Sequence, residues 1–212
     1  MVEIVIIGAG LAGLSTAYHL NKKHIIFEQM NRVGGLSGSV RQDAFTFDYT
    51  GHLLHFRNPE IKQLAFKLLN NNLTCHQRNS WIYSHGVYTR YPFQSNTYGL
   101  PQSIIRECLF GFIESMCKYR TITANPVNFY DWIIQNMGSG IAKHFMVPYN
   151  RKIWTVHPRE MTTEWLGGFI PRPQLIDVLT GALTNETGRV GYNAEFYYPR
   201  SGGIQVLPDA FA

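Results

Sequence analysis

The strongest constraint on this chain is the way its first strand ends. Val2 to Ile7 is a nearly continuous run of β-branched residues, and it passes without a break into Gly8-Ala9-Gly10-Leu11-Ala12-Gly13. Leu14 to Leu20 then reads as a helix. The apolar run predicts a strand buried on both faces of a parallel sheet. Each glycine has a mechanical task in such a strand–turn–helix unit. Gly8 permits the tight turn, Gly10 lets a pyrophosphate approach the backbone, and Gly13 lets the helix pack close to the strand. The first helical turn then offers unpaired N–H groups and a partial positive charge to the phosphates. A second strand, His24 to Phe27, ends in Glu28, fifteen residues after Gly13. A carboxylate there accepts hydrogen bonds from an adenosine ribose and repels a 2′-phosphate.

Composition narrows the setting. With 212 residues, 45% of them hydrophobic and 16% charged, the chain has apolar content for one large domain or two small ones. Low charge and 14% aromatic residues exclude a disordered chain. No apolar run approaches the roughly 18 residues that span a bilayer, and the start lacks a basic leader and a small-residue cleavage site. The expectation is a soluble, cytoplasmic protein without integral membrane association. The three cysteines, Cys75, Cys108 and Cys117, form no CxxC motif and are expected as buried thiols. The net charge of +5 is spread along the chain, which suits small anionic ligands better than nucleic acid. No metal-ligand cluster is evident, and none is expected.

After the second strand comes Arg32-Val33-Gly34-Gly35. A glycine pair here brings another backbone segment close to a ligand, with a guanidinium beside it for phosphates. In this order of GxGxxG, acidic residue and Arg-x-Gly-Gly, the sequence resembles the FAD-dependent amine oxidases, protoporphyrinogen oxidases and UDP-galactopyranose mutases. The resemblance implies FAD. The motif alone implies only a dinucleotide.

Later segments resemble the mutase branch. Phe47-Asp48-Tyr49-Thr50-Gly51-His52 is similar to the Gly-Gly-His loop that mutases place beside the flavin ring, with Thr50 in place of the first glycine. Arg78 and Tyr91 keep the spacing of the mutase's flavin-side arginine and pocket tyrosine, and Tyr91-Pro92-Phe93-Gln94 is similar to the uridine-sugar motif. Pro148-Tyr149-Asn150-Arg151-Lys152-Ile153-Trp154 and Gly191-Tyr192-Asn193 continue the likeness. The resemblance implies Gly8, Gly10, Gly13, Glu28, Arg32, Gly34, Gly35, Gly51 and His52 at the FAD. It implies Tyr91, Phe93, Gln94, Asn150, Trp154 and Asn193 at the substrate, with His52 and Arg78 in catalytic roles. Phe169 stands where eukaryotic mutases carry a phosphate-pairing arginine, and Arg172 is the expected substitute.

The helical pattern supports an insertion. Pro59–Asn70, the stripe Ile104, Ile105, Cys108, Leu109, Phe112, Ile113 and Met116, the cap Asn128-x-x-Asp131, and the stretch from Pro173 to Leu183 all read as helices. The expected fold class is α/β: a Rossmann-like FAD/NAD(P)-binding domain over 1–97, a helical substrate subdomain over 98–190, and a return to the sheet over 191–212. The family's C-terminal part is expected to be absent, the family's enzymes being about twice as long.

The activity implied is interconversion of UDP-galactopyranose and UDP-galactofuranose through a reduced-flavin N5–sugar adduct, with a UDP-sugar as the small-molecule partner and an oligomer possible. An FAD oxidoreductase of the amine oxidase or protoporphyrinogen oxidase type is the alternative. A non-catalytic dinucleotide-binding fragment is the third reading.

Overall fold

In a computed structural model of the chain, the described residues are 2–119, 125–167, 170, 172–185 and 195–212. They fall into two compact units, one made of 1–78 with 195–212 and the other of 79–194. The first unit opens with β1 (Ile4–Ile7), α1 (Leu11–His19) and β2 (His24–Phe27), and β1 pairs with β2 in parallel from Ile4↔His24 to Ile7↔Phe27. This is the right order for a Rossmann-like βαβ start. Burial on both faces does not follow: Val5 is 56% exposed and Ile7 88%. The reason is geometric. Ile6 faces α1, where it lies against Gly13, whereas Val5 and Ile7 point to the other face, and β1 has β2 as its one partner strand among the described residues.

Next come the hairpin β3 (Ser39–Gln42)/β4 (Phe45–Asp48), helix α2 (Pro59–Leu68) and strand β5 (Leu73–Gln77). Asn58 caps α2, its side chain accepting from the Glu60 and Ile61 N–H groups, and Pro59 takes the first position, where a missing N–H costs nothing. Near the chain's end, Glu195–Pro199, the last strand of the chain, pairs antiparallel with β5. Ala65, Leu69, Leu73 and Leu207 form the small core beneath.

The second unit holds the hairpin β6 (Trp81–Ser84)/β7 (Val87–Arg90), then α3 (Gln102–Tyr119), α4 (Phe129–Ile141), a π-helical turn at Ala142–Met146, α5 (Val147–Trp154) and α6 (Leu175–Leu183). The strand at Glu195–Pro199 is β8, and a short helix α7 (Val206–Asp209) follows it in the first unit. Asn128 caps α4 by accepting from the Asp131 N–H, as its spacing predicts. The sequence-based division at 97/98 groups the hairpin with the first domain. By packing it sits with the helices: Ile82 and Val87 lie against the helical core, and Thr97 and Tyr98 donate to the Gly181 carbonyl. That core contains Phe93, Cys108, Phe112, Phe129, Ile133, Met137 and Ile141.

Helices α3 and α4 meet through glycines. Gly138 has φ +77, and a Cβ there would run into the Gly111 carbonyl. One at Gly140 would strike the Glu107 carbonyl. Above this contact Glu107 pairs with Lys143 at 2.7 Å and with His144 at 2.9 Å, and the other ring nitrogen of His144 lies 3.1 Å from His85 at the hairpin tip. The hydrogen bonds from Lys143 and then His144 hold the Glu107 carboxyl at about 2. A depressed acid stabilises the fold fully above its ordinary value near 4.5, and the effect disappears as pH falls toward 2. Glu107→Gln is therefore expected to lower the melting temperature at pH 6, with the gap to wild type closing as the pH is brought from about 5 toward 2 and narrowing in salt.

The thiols depart from expectation. Cys108 is buried, but Cys75 and Cys117 are exposed, and all three are free. Among the described residues no helix is long and apolar enough to cross a membrane.

Candidate functional site

The glycine loop is tied to the second glycine pair. The Gly34 N–H donates to the Ala9 carbonyl at 2.7 Å, Gly10 and Gly34 form a parallel bridge, and a Cβ on Gly35 would lie 3.6 Å from the Gly10 Cα. Two backbone segments 20 to 30 residues apart thus lie side by side at the start of α1. Gly13 faces the Gly8 carbonyl closely enough that no side chain fits between them. Gly10 differs, since a Cβ there meets nothing within 4 Å. Its Cα faces open space, as a ligand approaching the backbone requires.

Glu28, at the end of β2, turns into this loop. One carboxylate oxygen accepts from the Ala9 N–H at 2.7 Å and the other from the Met30 N–H at 3.0 Å. These bonds, Met30's first and then Ala9's, hold its carboxyl below the usual range, so it is ionised at neutral pH. Each oxygen keeps an acceptor position for a hydroxyl. Arg32 is turned inward as well. Its Nη1 donates to the carbonyls of Gly35 at 3.0 Å and Val33 at 3.3 Å, and its guanidinium lies 5.0 Å from the Tyr49 ring centroid. This arginine braces the glycine pair from beneath, a role the motif by itself did not reveal.

Gly51 and His52 follow β4 in the same unit, with Gly51 in open space and His52 Nδ1 3.9 Å from Asp48. Arg78 closes the first unit after β5.

The sequence-predicted substrate residues lie in the second unit. Tyr91 follows β7 and is joined to Pro92 by a cis peptide, and its N–H donates to the Ser80 carbonyl. Phe93 is a correction. Its side chain has no exposed surface and stacks on Phe145 with ring centroids 4.8 Å apart, so it is part of the core rather than the wall of an open pocket. The short run Phe93–Ser95 packs inward because the Gly181 backbone holds the next residues, Thr97 and Tyr98. Gln94 is buried. Asn150, on α5, is buried and donates to the Met146 carbonyl one turn back, and Trp154, at the end of the same helix, is half-exposed with its ring 5.5 Å from Trp165. Arg172 lies over the Trp132 ring at 5.4 Å, beside a cavity of about 320 Å³ that Thr163, Gly167 and Ile170 also line. Asn193 and Phe169 lie outside the described residues.

Similarity to known proteins agrees with this geometry. Residues 6–68 match the NAD(P)-binding Rossmann-like domain family. The structure is similar to a reduced UDP-galactopyranose mutase with a TM-score of 0.85 and 32% identity, covering 100% of this chain and 46% of the mutase. Cyclohexylamine oxidase from Brevibacterium oxydans shares the fold at 18% identity and a TM-score of 0.61, covering 100% of this chain and 49% of the oxidase. A candidate protoporphyrinogen oxidase from Exiguobacterium does so at 15% identity and a TM-score of 0.61, covering 98% of this chain and 49% of its own. The chain thus spans a little under half the length of the structures it matches. The strand–glycine loop–helix unit and the second glycine pair belong to an NAD(P)-binding Rossmann-like domain, and the whole chain is similar to a little under half of a UDP-galactopyranose mutase.

Proposed function

We infer that the protein carrying this sequence binds FAD and interconverts UDP-galactopyranose and UDP-galactofuranose. The observation that carries the substrate reading is the likeness to the mutase over the whole chain at 32% identity, against 15–18% for the oxidases quoted above. The cofactor reading rests on the paired backbone segments Gly8–Gly13 and Gly34–Gly35, which leave room at Gly10 for a pyrophosphate, and on Glu28 as the hydroxyl acceptor.

When bound in reduced form, the flavin supplies the covalent chemistry at the sugar's anomeric carbon. The chain's own groups bind and orient. The first turn of α1 faces the phosphates with its free N–H groups, and the Arg32 brace keeps Gly34–Gly35 against Gly10. His52 holds or moves a proton beside the flavin ring, and Arg78 balances negative charge there. Tyr91, Gln94, Asn150, Trp154 and Asn193 form the uridine and sugar side, and Arg172 pairs with the diphosphate. Residues 79–194 are the substrate unit of this reading.

An oxidase reading stands second, favoured by Phe169, which cannot pair with a phosphate where eukaryotic mutases carry arginine. Turnover of UDP-galactofuranose by the complete gene product, with and without dithionite, separates the two. Conversion only after reduction is the expected result. A flavin-loaded protein that converts nothing in either state removes the mutase reading, and one that takes up NAD but no FAD removes the cofactor reading.

A further inference from the structure

Asp48, the last residue of β4, receives hydrogen bonds from distant parts of the chain. Ser39 Oγ donates to Oδ1 at 2.6 Å, the Ile204 N–H donates to the same oxygen at 3.1 Å, and the Tyr198 hydroxyl donates to Oδ2 at 2.6 Å. An ionised carboxylate has about four acceptor positions, so one on Oδ2 is open. The ring of His52 faces it, with Nδ1 3.9 Å from Oδ2. That nitrogen is buried and has no hydrogen-bond partner, while Nε2 lies 3.5 Å from the Thr50 hydroxyl. An open acceptor and an unmet ring nitrogen therefore stand opposite each other, with side chains only 9% and 17% exposed.

We propose that Asp48 is a positioning residue that fixes His52 in the tautomer with its hydrogen on Nδ1, so that Nε2 is presented to a bound ligand as a lone pair. A neutral imidazole carries one N–H, and which nitrogen holds it is set by what the other faces. Hydrogen on Nδ1 points at a negative oxygen. The opposite tautomer sets a buried lone pair against a carboxylate, which a partly desolvated site penalises. Thr50 is compatible with this tautomer, since its hydroxyl, 3.5 Å from Nε2, can donate to that lone pair until a ligand takes its place. Among the described residues, the other titratable group that hydrogen-bonds Asp48 is Tyr198. Burial, and then Asp48 itself, push its hydroxyl up to about 12, so it stays neutral and adds no charge beside Asp48. Asp48 is charged at neutral pH: partial burial opposes ionisation, but the bonds from Ser39, Tyr198 and Ile204 outweigh it and keep the carboxyl below its ordinary value. The assignment rests on the flavin reading only for what Nε2 faces.

The test is ¹⁵N NMR of histidine-labelled protein near pH 8 without flavin, with the His52 signals identified by their loss in His52→Gln. The expected wild-type spectrum has a pyrrole-type Nδ1 and a pyridine-type Nε2, in about tenfold excess or more over the other tautomer. Asp48→Asn keeps an oxygen for Ser39 and Ile204 but turns an N–H toward His52, and it is expected to reverse the pattern. Tyr198→Phe leaves the carboxylate charged and is expected to leave the tautomer unchanged, which separates the charge from general disturbance. Hydrogen on Nε2 in the wild type overturns the assignment without any variant. So does an unchanged tautomer in Asp48→Asn with a native amide spectrum. Loss of FAD binding in a separate titration, with the tautomer as expected, would count against the flavin reading and leave the Asp48–His52 pairing standing.

Discussion

Gly138→Ala is expected to destabilise the helical unit by about 3–4 kcal/mol, a large share of the roughly 5–15 kcal/mol that holds a typical small domain folded. Two costs combine. The backbone at Gly138 has φ +77, where an L side chain is strained by roughly 1 kcal/mol or more. A Cβ there would also meet the Gly111 carbonyl and the Phe112 N–H, which are backbone groups inside a helix and cannot rotate away. Helices α3 and α4 would have to separate along the contact that organises the core around Cys108, Phe112 and Met137. Gly99→Ala is the matched control. It also has positive φ (+88) but open space around the new methyl, so only the conformational cost applies, about 1 kcal/mol. Urea unfolding followed by tryptophan fluorescence compares the two. Equal losses would mean that the α3–α4 contact yields easily and that the glycine is there for its backbone angle alone.

The second large effect separates binding from folding within one motif. Gly10→Ala is expected to leave stability within about 0.5 kcal/mol, because φ is −68 and the methyl meets no protein atom. In the proposed reading the same methyl occupies the space that a pyrophosphate would take. FAD affinity is expected to fall about 100-fold, equivalent to the roughly 2–3 kcal/mol of a steric clash. Gly13→Ala fails differently. Its methyl would be driven into the Gly8 carbonyl and against Ile6, so both stability and affinity are lost. Paired thermal melts and FAD titrations distinguish these outcomes. A Gly10→Ala protein that binds FAD as well as wild type would show that the phosphates do not cross the loop at Gly10.

What was legible in the sequence was what short-range rules determine. The glycine spacing, the capping asparagine at 128, and the prolines at helix starts each act within a few residues, so a linear reading captures them. The features that were not legible depend on distant partners. β1 reads as a fully buried strand, yet a strand's burial depends on how many neighbours it has, and Val5 and Ile7 face outward beside the one partner strand among the described residues. The motif at Tyr91 to Gln94 was recognisable, but not that Phe93 would be taken up by stacking on Phe145, 52 residues further on. Asp48 was visible only as one letter of a loop motif. Its importance appears once Tyr198 and Ile204, 150 and 156 residues later, fold back onto it. Arg32 was read as a phosphate partner because guanidinium next to glycine suggests one, whereas the carbonyls of its own loop are nearer.

The arrangement of the three thiols gives the experimenter a ready-made pair of labelling handles. Cys75 is exposed in the first compact unit and Cys117 in the second, while Cys108 is enclosed and its thiol is pushed by burial up to about 12. A maleimide dye at neutral pH reacts with thiolate, so it marks the two exposed sites and spares the third. Unmodified protein can therefore carry a donor and an acceptor fluorophore, one on each unit, and energy transfer between them reports any change in the spacing of the units when a nucleotide is added.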